Sequence, residues 1–519
     1  MFDIRITGGQ VLDGTGCSEA LLDVGITGDL IEAIGDLSSA GAKQTIQAAG
    51  KYVCPGFIDA HSHSDAYLLI EPSAPSKIFQ GITTEIVGNC GASAAPLFGK
   101  YHMPSDWLDK DYPGKWSSVA EYRRLLESVK PAPNVFLLIG HNTLRVGIAG
   151  YENRPLTKVE LEEAKRLLEQ SLEEGGRGFS TGLIYAPAMF APREELIELA
   201  KIAAKHDGIY TTHMRSEGKH LIKALEETIS IGRSAGIRVQ ISHLKTSGRA
   251  NWPLVDRALQ LIREARNSGM EVAADRYPYT AGCTDLDVVL PDWAEEGGRE
   301  EILKRLKNPG DRKRIREEML QSRSAGDWAT ITIGSTNHHD NRSFQGMPLP
   351  DVAGKLGLDF VDTILYLIET DEVRTSAFFG GMCEENMVKI LAEPYVMLGS
   401  DASLRATTGP LSHDYPHPRA YGSFPKFLRM ALDGKIVPLP EAVRKMTSLP
   451  AKHFRLKDRG VIAKGKKADI AVFDPAKLRD VATYAAPHQL AEGIEAVIVN
   501  GILTMQSGKL TGHRGGKML

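Results

Sequence analysis

The chain has 519 residues, of which 42% are hydrophobic and 24% charged, and its 62 basic and 65 acidic side chains leave a net charge of −3. This length and composition are typical of a globular protein with more than one domain, and they exclude a mainly disordered chain. The near-neutral charge gives no electrostatic reason to expect nucleic acid or an anionic membrane as partner, so we expect a small-molecule ligand. Five scattered cysteines without CxxC spacing, and no apolar stretch of 18 residues, predict a cytoplasmic protein that does not span a membrane.

The first 52 residues are rich in short segments in which apolar and polar side chains alternate. The clearest cover residues 3–6, 22–26 and 30–34, and glycine-containing pairs mark the turns between them. This pattern predicts β-hairpins. The segment has too few apolar residues to build a core alone, so we expect it to pack with another part of the chain.

From residue 53 the sequence alternates short β-branched runs with longer amphipathic segments, which is the pattern of βα units. Helices are predicted over 158–174, where Thr157 and Glu160 fit a capping box, and over 194–206, 219–235 and 254–268. Eight runs predict strands: 53–61, 83–90, 135–140, 178–183, 210–213, 238–243, 271–275 and 396–401. Eight such units imply an α/β fold, a TIM-like (β/α)8 barrel over residues 53–454, whose active site lies where the strands run into the following loops.

The interval between the seventh and eighth predicted strands is much longer than an ordinary βα loop. It contains a charged helix predicted over 299–323, and we expect residues 280–394 to form an insertion that covers the active site. Near the end of the chain, the runs 468–473 and 496–499 again predict strands. We therefore place residues 1–52 and 455–519 together in one small β-sandwich domain, with 512–517 as a tail.

Side chains that can bind a metal stand where the predicted strands end. His61 and His63 flank Ser62, and because strand side chains alternate with a period of two, both imidazoles should face the barrel interior. Further candidates at strand ends are Cys90, His213, His243 and Asp401. Catalytic zinc typically takes three ligands from His, Cys and carboxylate and leaves one position for water. A thiolate favours zinc over magnesium, so these residues predict a zinc site.

Simpler interpretations exist for several of these residues. A free cysteine such as Cys90 is most often a small buried hydrophobic residue, and Asp401 would also suit a helix N-cap. The run of two histidines and an aspartate at 338–340 could bind metal, but adjacent residues rarely face one centre. We therefore interpret 338–340 as a polar loop.

Several motifs carry a family resemblance. Residues 56–63 (GFIDAHSH) look like the opening signature of the amidohydrolase superfamily. Together with segments 80–96, 213–217, 399–401, 416–422 and 468–475, they make the whole chain resemble the N-acyl-D-amino-acid deacylases, also called D-aminoacylases. That family uses a cysteine after the second strand, which matches Cys90, whereas hydantoinases and dihydroorotases commonly bridge two metals with a carboxylated lysine.

The resemblance implies a role for each of the candidate residues. It makes Cys90, His213 and His243 the ligands of one tight Zn²⁺ site. It makes His61 and His63 either ligands of a second, more weakly bound metal or residues that complete the lining of the pocket. Asp401 becomes the general base at the same metal site and could then protonate the leaving amine, which agrees with the ordinary chemistry of hydrolytic zinc.

An N-acyl amino acid presents a free carboxylate, which needs a cation or several hydrogen-bond donors. Lys245 follows His243 by two residues and matches the family's His-x-Lys, while Tyr277 and Arg419 are candidates from motif position only. Alternatively, Tyr277 packs beside Pro278, and Arg419 pairs with an acidic neighbour such as Asp414.

The leading prediction from the sequence is zinc-dependent hydrolysis of N-acyl-D-amino acids to a carboxylate and a free D-amino acid. Two alternatives stay open at this point. One is a cyclic-amide hydrolase of hydantoinase or dihydroorotase type, and the other is a non-catalytic scaffold with the amidohydrolase fold. The preferred side chain and the oligomeric state are not specified by the sequence.

Overall fold

The computed structural model describes residues 1–101, 103–104, 107 and 110–519. The N-terminal segment consists of strands, which confirms the predicted hairpins. The strands are β1 (Phe2–Val11), β2 (Ala20–Thr27), β3 (Leu30–Gly35), β4 (Ala42–Gln47) and β5 (Tyr52–Pro55).

Strands and helices then alternate as predicted. The strands of this part are β6 (Phe57–Asp59), β7 (Ile82–Val87), β8 (Asn134–Leu137), β9 (Ile139–Gly140), β10 (Gly178–Gly182), β11 (Ile209–His213), β12 (Arg238–Ile241) and β13 (Val272–Arg276). The helices are α1 (Pro75–Ile78), α2 (Val119–Val129), α3 (His141–Ala149), α4 (Lys158–Glu173), α5 (Arg193–Lys205), α6 (Leu221–Ala235) and α7 (Val255–Asn267). The capping box predicted for α4 is confirmed: the Thr157 hydroxyl accepts from the Glu160 N–H, and the Glu160 carboxylate accepts from the Thr157 N–H.

The next part contains β14 (Gly282–Asp285), β15 (Ile331–Ile333), β16 (Ser376–Phe379) and β17 (Val396–Leu398). Its helices are α8 (Arg299–Lys307), α9 (Pro309–Ser322), α10 (Ala325–Trp328), α11 (Leu349–Leu356), α12 (Phe360–Thr370), α13 (Glu384–Ala392), α14 (Arg419–Leu432), α15 (Leu439–Met446) and α16 (Ser448–His453). The single helix predicted over 299–323 is wrong, because Asn308 separates α8 from α9. Its side chain accepts from the N–H groups of Gly310 and Asp311, and Pro309 begins the new helix.

Both ends of the chain contribute to one nine-stranded sheet. The last strands are β18 (Ile470–Phe473), β19 (Ile494–Val499), β20 (Ile502–Gln506) and β21 (Lys509–Leu510). The sheet has the order β21-β20-β19-β18-β5-β1-β2-β3, with β4 paired to β1. One apolar cluster joins side chains from both ends, among them Ile6, Val24, Ile470 and Ile498. The N-terminal and C-terminal segments therefore share one sheet and one apolar cluster.

Two parallel sheets carry the central βα units. One has the order β17-β13-β12-β11-β10-β9, and the other consists of β6-β7-β8. The Leu138 N–H, between β8 and β9, donates to the Val87 carbonyl of β7 (2.9 Å), and the Ala60 N–H, just after β6, donates to the Leu398 carbonyl of β17 (3.4 Å). The carboxyl ends of the strands consequently point toward one region.

Two predicted strands are divided in the structure. The run 53–61 is β5, which lies in the nine-stranded sheet, and β6, which pairs with β7. The chain changes sheets at Gly56, where a Cβ atom would lie 2.3 Å from the Thr83 side chain, so this close approach requires glycine. The run 135–140 is divided into β8 and β9. The predicted limit of the terminal domain, residue 52, therefore lies inside β5.

Two further regions complete the fold. Residues 286–377 contain an apolar cluster of their own, which includes Leu286, Trp328 and Ile364. The tail predicted over 512–517 is wrong for its last residues: the Val135 N–H donates to the Lys517 carbonyl, and Met518 is only 2% exposed. These residues occupy the edge of β8, which would otherwise present unpaired backbone groups. Within the described residues, no helix is long and apolar enough to cross a membrane.

Candidate metal centre

Three of the predicted site residues have a left-handed backbone. Cys90, His243 and Asp401 follow their strands and have φ values of 52°, 35° and 50°. This conformation costs a non-glycine residue roughly 1–3 kcal/mol, and such strain concentrates at functional sites. The turn at each position brings the side chain over the ends of the strands.

Cys90, His213 and His243 converge as the sequence predicts. One ligand atom from each lies within 4.8 Å of the others, and all three residues are buried. Cys90 Sγ is 3.5 Å from His243 Nε2, and the rings of His213 and His243 are 4.4 Å apart. Neither ring nitrogen of His213 has a hydrogen-bond partner among the described residues. The Glu217 carboxylate lies 3.8 Å from His213 Nε2, which is too far for a hydrogen bond. Because buried polar atoms are normally hydrogen-bonded, these nitrogens and the thiol fit a metal ion.

A second group, formed by His61, His63, Cys90 and Asp401, adjoins the first and shares its thiol. His61 Nε2 lies 3.3 Å from both Cys90 Sγ and Asp401 Oδ1, and His63 Nε2 lies 3.1 Å from Asp401 Oδ1. Behind His61, the carboxylate of Asp275 lies 3.2 Å from the Nδ1 atom. Carboxylates in this position orient histidines that bind metals.

Two anionic groups of the site are ionised beside its histidines, and against the effects of burial and Lys245 the carboxylates of Glu217 and Asp401 raise the pKa of His243 to about 9. Burial opposes ionisation of the Cys90 thiol, but His61 and His243 hold its pKa well below the ordinary value of 9.0. Burial also opposes ionisation of Asp401, but Arg419 and His243 keep the pKa of this carboxyl well below 3.8. Burial lowers the pKa of His213 below 6.5, which leaves the ring neutral. An ionised thiol and a neutral imidazole are the forms that bind metals.

Arg419 pairs with an acidic neighbour, as its alternative interpretation expects, but the partner is Asp401 and not Asp414. Arg419 Nη1 is 2.7 Å from Asp401 Oδ2, whereas Asp414 pairs with Arg405 and Lys110. Asp401 does not cap a helix, because its carboxylate is held between Arg419 and the histidines. The guanidinium therefore compensates the charge of the predicted base.

Lys245 enters the site as predicted, but it is not free there. Its Nζ contacts the Glu217 carboxylate and lies 2.8 Å from His243 Nδ1. Glu217 was not assigned from the sequence. It follows His213 by four residues in a loop, where no periodicity indicates the direction of a side chain.

Tyr277 completes this corner of the site. Its ring centroid is 4.7 Å from the Arg419 guanidinium carbon and 5.9 Å from Lys245 Nζ. Its hydroxyl is buried and has no hydrogen-bond partner in the described part of the chain. All nine residues predicted for the site therefore lie close together at one end of the parallel strands.

Comparisons with known proteins agree with this geometry. A sequence model described as the amidohydrolase family matches residues 44–278 and 396–504. The D-aminoacylase of Alcaligenes xylosoxydans xylosoxydans is 37% identical over 521 residues, which cover 100% of this chain and 97% of that protein. The chain belongs to the N-acyl-D-amino-acid deacylase family of amidohydrolases.

Two solved structures of this family superpose over the full chain, each with a TM-score of 0.85. One is a D-aminoacylase that is 36% identical. It has a binuclear metal centre, for which activation by one metal and attenuation by the second are reported. The other is the N-acyl-D-glutamate deacylase of Bordetella bronchiseptica, 33% identical, in complex with zinc and a phosphonate mimic of the tetrahedral intermediate. Each comparison covers 100% of this chain and 99% of the other. The fold is thus the mixed α/β amidohydrolase fold.

A cluster of buried charged residues lies next to the site. Lys77 Nζ donates to Asp59 Oδ2 (2.9 Å) and Ser400 Oγ (3.1 Å), and it lies 3.3 Å from Glu85 Oε2. Its neighbours Asp59 and Ser400 precede His61 and Asp401 closely in the sequence. We did not predict this cluster, although charged residues within apolar strands such as β7 were a usable signal.

One cavity of about 2020 Å³ is lined by His63, Cys90, His213, His243 and Asp401. Part of its wall comes from the region between β13 and β17, which supplies Cys283, Phe379 and Met382. The exposed group at 338–340 is outside this lining, and His339 and Asp340 pair with each other at 2.9 Å.

Proposed function

We propose that this protein is a zinc-dependent deacylase that hydrolyses N-acyl-D-amino acids to a carboxylate and a free D-amino acid. The observation that carries the proposal is the buried group of Cys90, His213 and His243 beside the carboxylate of Asp401. The similarity of the full chain to D-aminoacylase supports the same reaction. The thiol at the end of the second strand favours this reaction over that of a cyclic-amide hydrolase.

We assign one tight zinc to Cys90, His213 and His243 and a second, weaker site to His61, His63 and Asp401. The binuclear centre of the related D-aminoacylase, with its activating and attenuating metals, supports two unequal sites. When bound, zinc would polarise the amide carbonyl and lower the pKa of water. Asp401 would accept the proton of the attacking water and then deliver it to the leaving amine.

The substrate carboxylate is assigned to the corner formed by Lys245, Tyr277 and Arg419. The unpaired Tyr277 hydroxyl can donate to it, and the two cations beside the ring supply positive charge. Glu217 and Asp401 already pair with Lys245 and Arg419, so the substrate carboxylate would share these cations with the two acidic side chains.

We also infer the finer architecture. The hydrogen bonds of Leu138 with Val87 and of Ala60 with Leu398 support a closed (β/α)8 barrel within residues 53–454. The core shared by both chain ends supports a folded, sandwich-like domain of residues 1–52 and 455–519, to which β5 adds a few residues. The family model leaves residues 279–395 unmatched, which supports an insertion at 280–394.

The experiment that tests the function is metal removal and reloading. Protein stripped with a chelator should release little free amine from N-acetyl-D-methionine, and one equivalent of zinc should restore release. Cys90→Ala, treated in the same way, should not recover. Full activity of the stripped protein would contradict the proposal.

A further inference from the structure

Glu217 and Lys245 meet at the same ring nitrogen of His243. Glu217 Oε1 lies 2.8 Å from His243 Nδ1, and Lys245 Nζ lies at the same distance from it. The two charged groups also contact each other directly. The side chains of His243, Lys245 and Glu217 are only 2%, 6% and 13% exposed, so water screens their interaction weakly.

These two groups favour different protonation states of His243 Nδ1. An ionised carboxylate can only accept a hydrogen bond, whereas an ammonium can only donate one. Glu217 therefore favours the tautomer with the proton on Nδ1, and Lys245 favours the tautomer with a lone pair there. The opposite ring nitrogen, Nε2, faces Cys90 Sγ at 3.5 Å. Only the tautomer favoured by Glu217 leaves a lone pair on Nε2 for a metal.

The neighbouring histidine provides an internal comparison. His61 Nδ1 lies 3.2 Å from the Asp275 carboxylate, and its Nε2 faces Cys90 at 3.3 Å. This is the same arrangement of carboxylate, imidazole and thiol. At His243 a lysine competes for the nitrogen, so the choice of tautomer depends on the carboxylate.

We propose that Glu217 is a positioning residue that holds His243 in its metal-binding tautomer and keeps the Lys245 ammonium from donating to that ring. The inference rests on the proposed function, because it concerns the metal site assigned there. It assigns Glu217 no contact with substrate.

The test is a comparison of zinc affinities, measured without substrate by competition with a chromophoric chelator. Glu217→Gln should weaken zinc binding by about 10–100-fold, the usual effect of removing such a partner. Lys245→Met should leave the affinity within about threefold of wild type, because it removes the opposing donor. The double variant should bind more tightly than Glu217→Gln alone. Glu227→Gln is the matched control, since Glu227 pairs with Arg215 and belongs to neither metal-binding group of the site, and its zinc affinity should be unchanged.

Cobalt-loaded protein gives a second readout. At saturating cobalt, Glu217→Gln should keep the thiolate-to-cobalt absorption band of wild type, which shows that the fold around Cys90 is intact. Unchanged zinc affinity in Glu217→Gln would overturn the proposal, and so would equal weakening in the single and double variants. A wild type that binds zinc but releases no amine would refute the proposed function and leave this inference standing.

Discussion

Replacing Asp401 by asparagine tests whether this carboxylate moves a proton or only balances charge. Asp401 Oδ2 lies 2.7 Å from Arg419 Nη1, and Oδ1 lies 3.1 Å from His63 Nε2. Asparagine keeps the size of the side chain but cannot accept the proton of an attacking water. We expect Asp401→Asn to retain the fold and the tight zinc while losing turnover.

The structure predicts two separate magnitudes for this substitution. A positioned general acid–base contributes about 10²–10⁴ in rate, or about 3–5 kcal/mol of activation free energy. Loss of the carboxylate charge also leaves the Arg419 side chain, 6% exposed, without its buried partner. Breaking a buried pair costs about 3–5 kcal/mol of unfolding free energy.

The double variant separates these two effects. Asp401→Asn, Arg419→Gln and their combination should be assayed for zinc content, thermal unfolding and amine release from N-acetyl-D-methionine. If Asp401 is the base, the double variant regains stability but is no faster than Asp401→Asn, since Arg419 is also assigned to the substrate carboxylate. Recovery of turnover in the double variant would refute the assignment, as would near-normal turnover of zinc-loaded Asp401→Asn.

Three further outcomes follow from the same structure. Cys90→Ala should lose the tight zinc while His61→Ala keeps most of it; equal zinc content in Cys90→Ala and wild type, by elemental analysis, would contradict the ligand set. Met518→Ala should destabilise the protein by about 2–5 kcal/mol in chemical denaturation, because the side chain is 2% exposed, whereas Met518→Leu should not; equal stabilities would refute docking of the C-terminus. Burial lowers the pKa of His453 to about 4 from 6.5, so the unfolded chain takes up its proton first as the pH falls. The free energy of unfolding therefore falls by about 3 kcal/mol because of His453 as the pH drops from 6.5 to 4. His453→Gln should remove that part of the loss of stability in acid.

The positions of the candidate metal ligands were predictable because strand geometry constrains them. Parallel strands end at one edge, and the period of two puts His61 and His63 on one face. His213 likewise ends β11, and His243 and Cys90 follow β12 and β7 by two and three residues. The capping box of α4 was predictable for a similar reason, because it depends only on local spacing.

The remaining features depend on contacts between distant segments. The change of sheet at Gly56 follows from the approach of Thr83, which no local pattern in the run 53–61 reveals. Glu217 lies in a loop, and its direction is set by its contacts with Lys245 and His243. The docking of Met518 on β8 likewise joins segments almost 400 residues apart. The break between α8 and α9 could have been predicted from the sequence, because Pro309 indicates a helix boundary. The prediction of one helix over 299–323 followed the charge pattern instead.

We expect one metal-assisted site to release D-amino acids from their N-acyl derivatives. The most direct measurement is kcat/KM for amine release from N-acetyl-D-methionine and N-acetyl-L-methionine by zinc-loaded wild type. With the acyl carbonyl at the metal site and the carboxylate at Lys245 and Tyr277, the α-carbon can place its side chain in the pocket in one hand only. We predict efficient amine release from the D isomer and little from the L isomer. Faster release from the L isomer would contradict the assignment as an N-acyl-D-amino-acid deacylase.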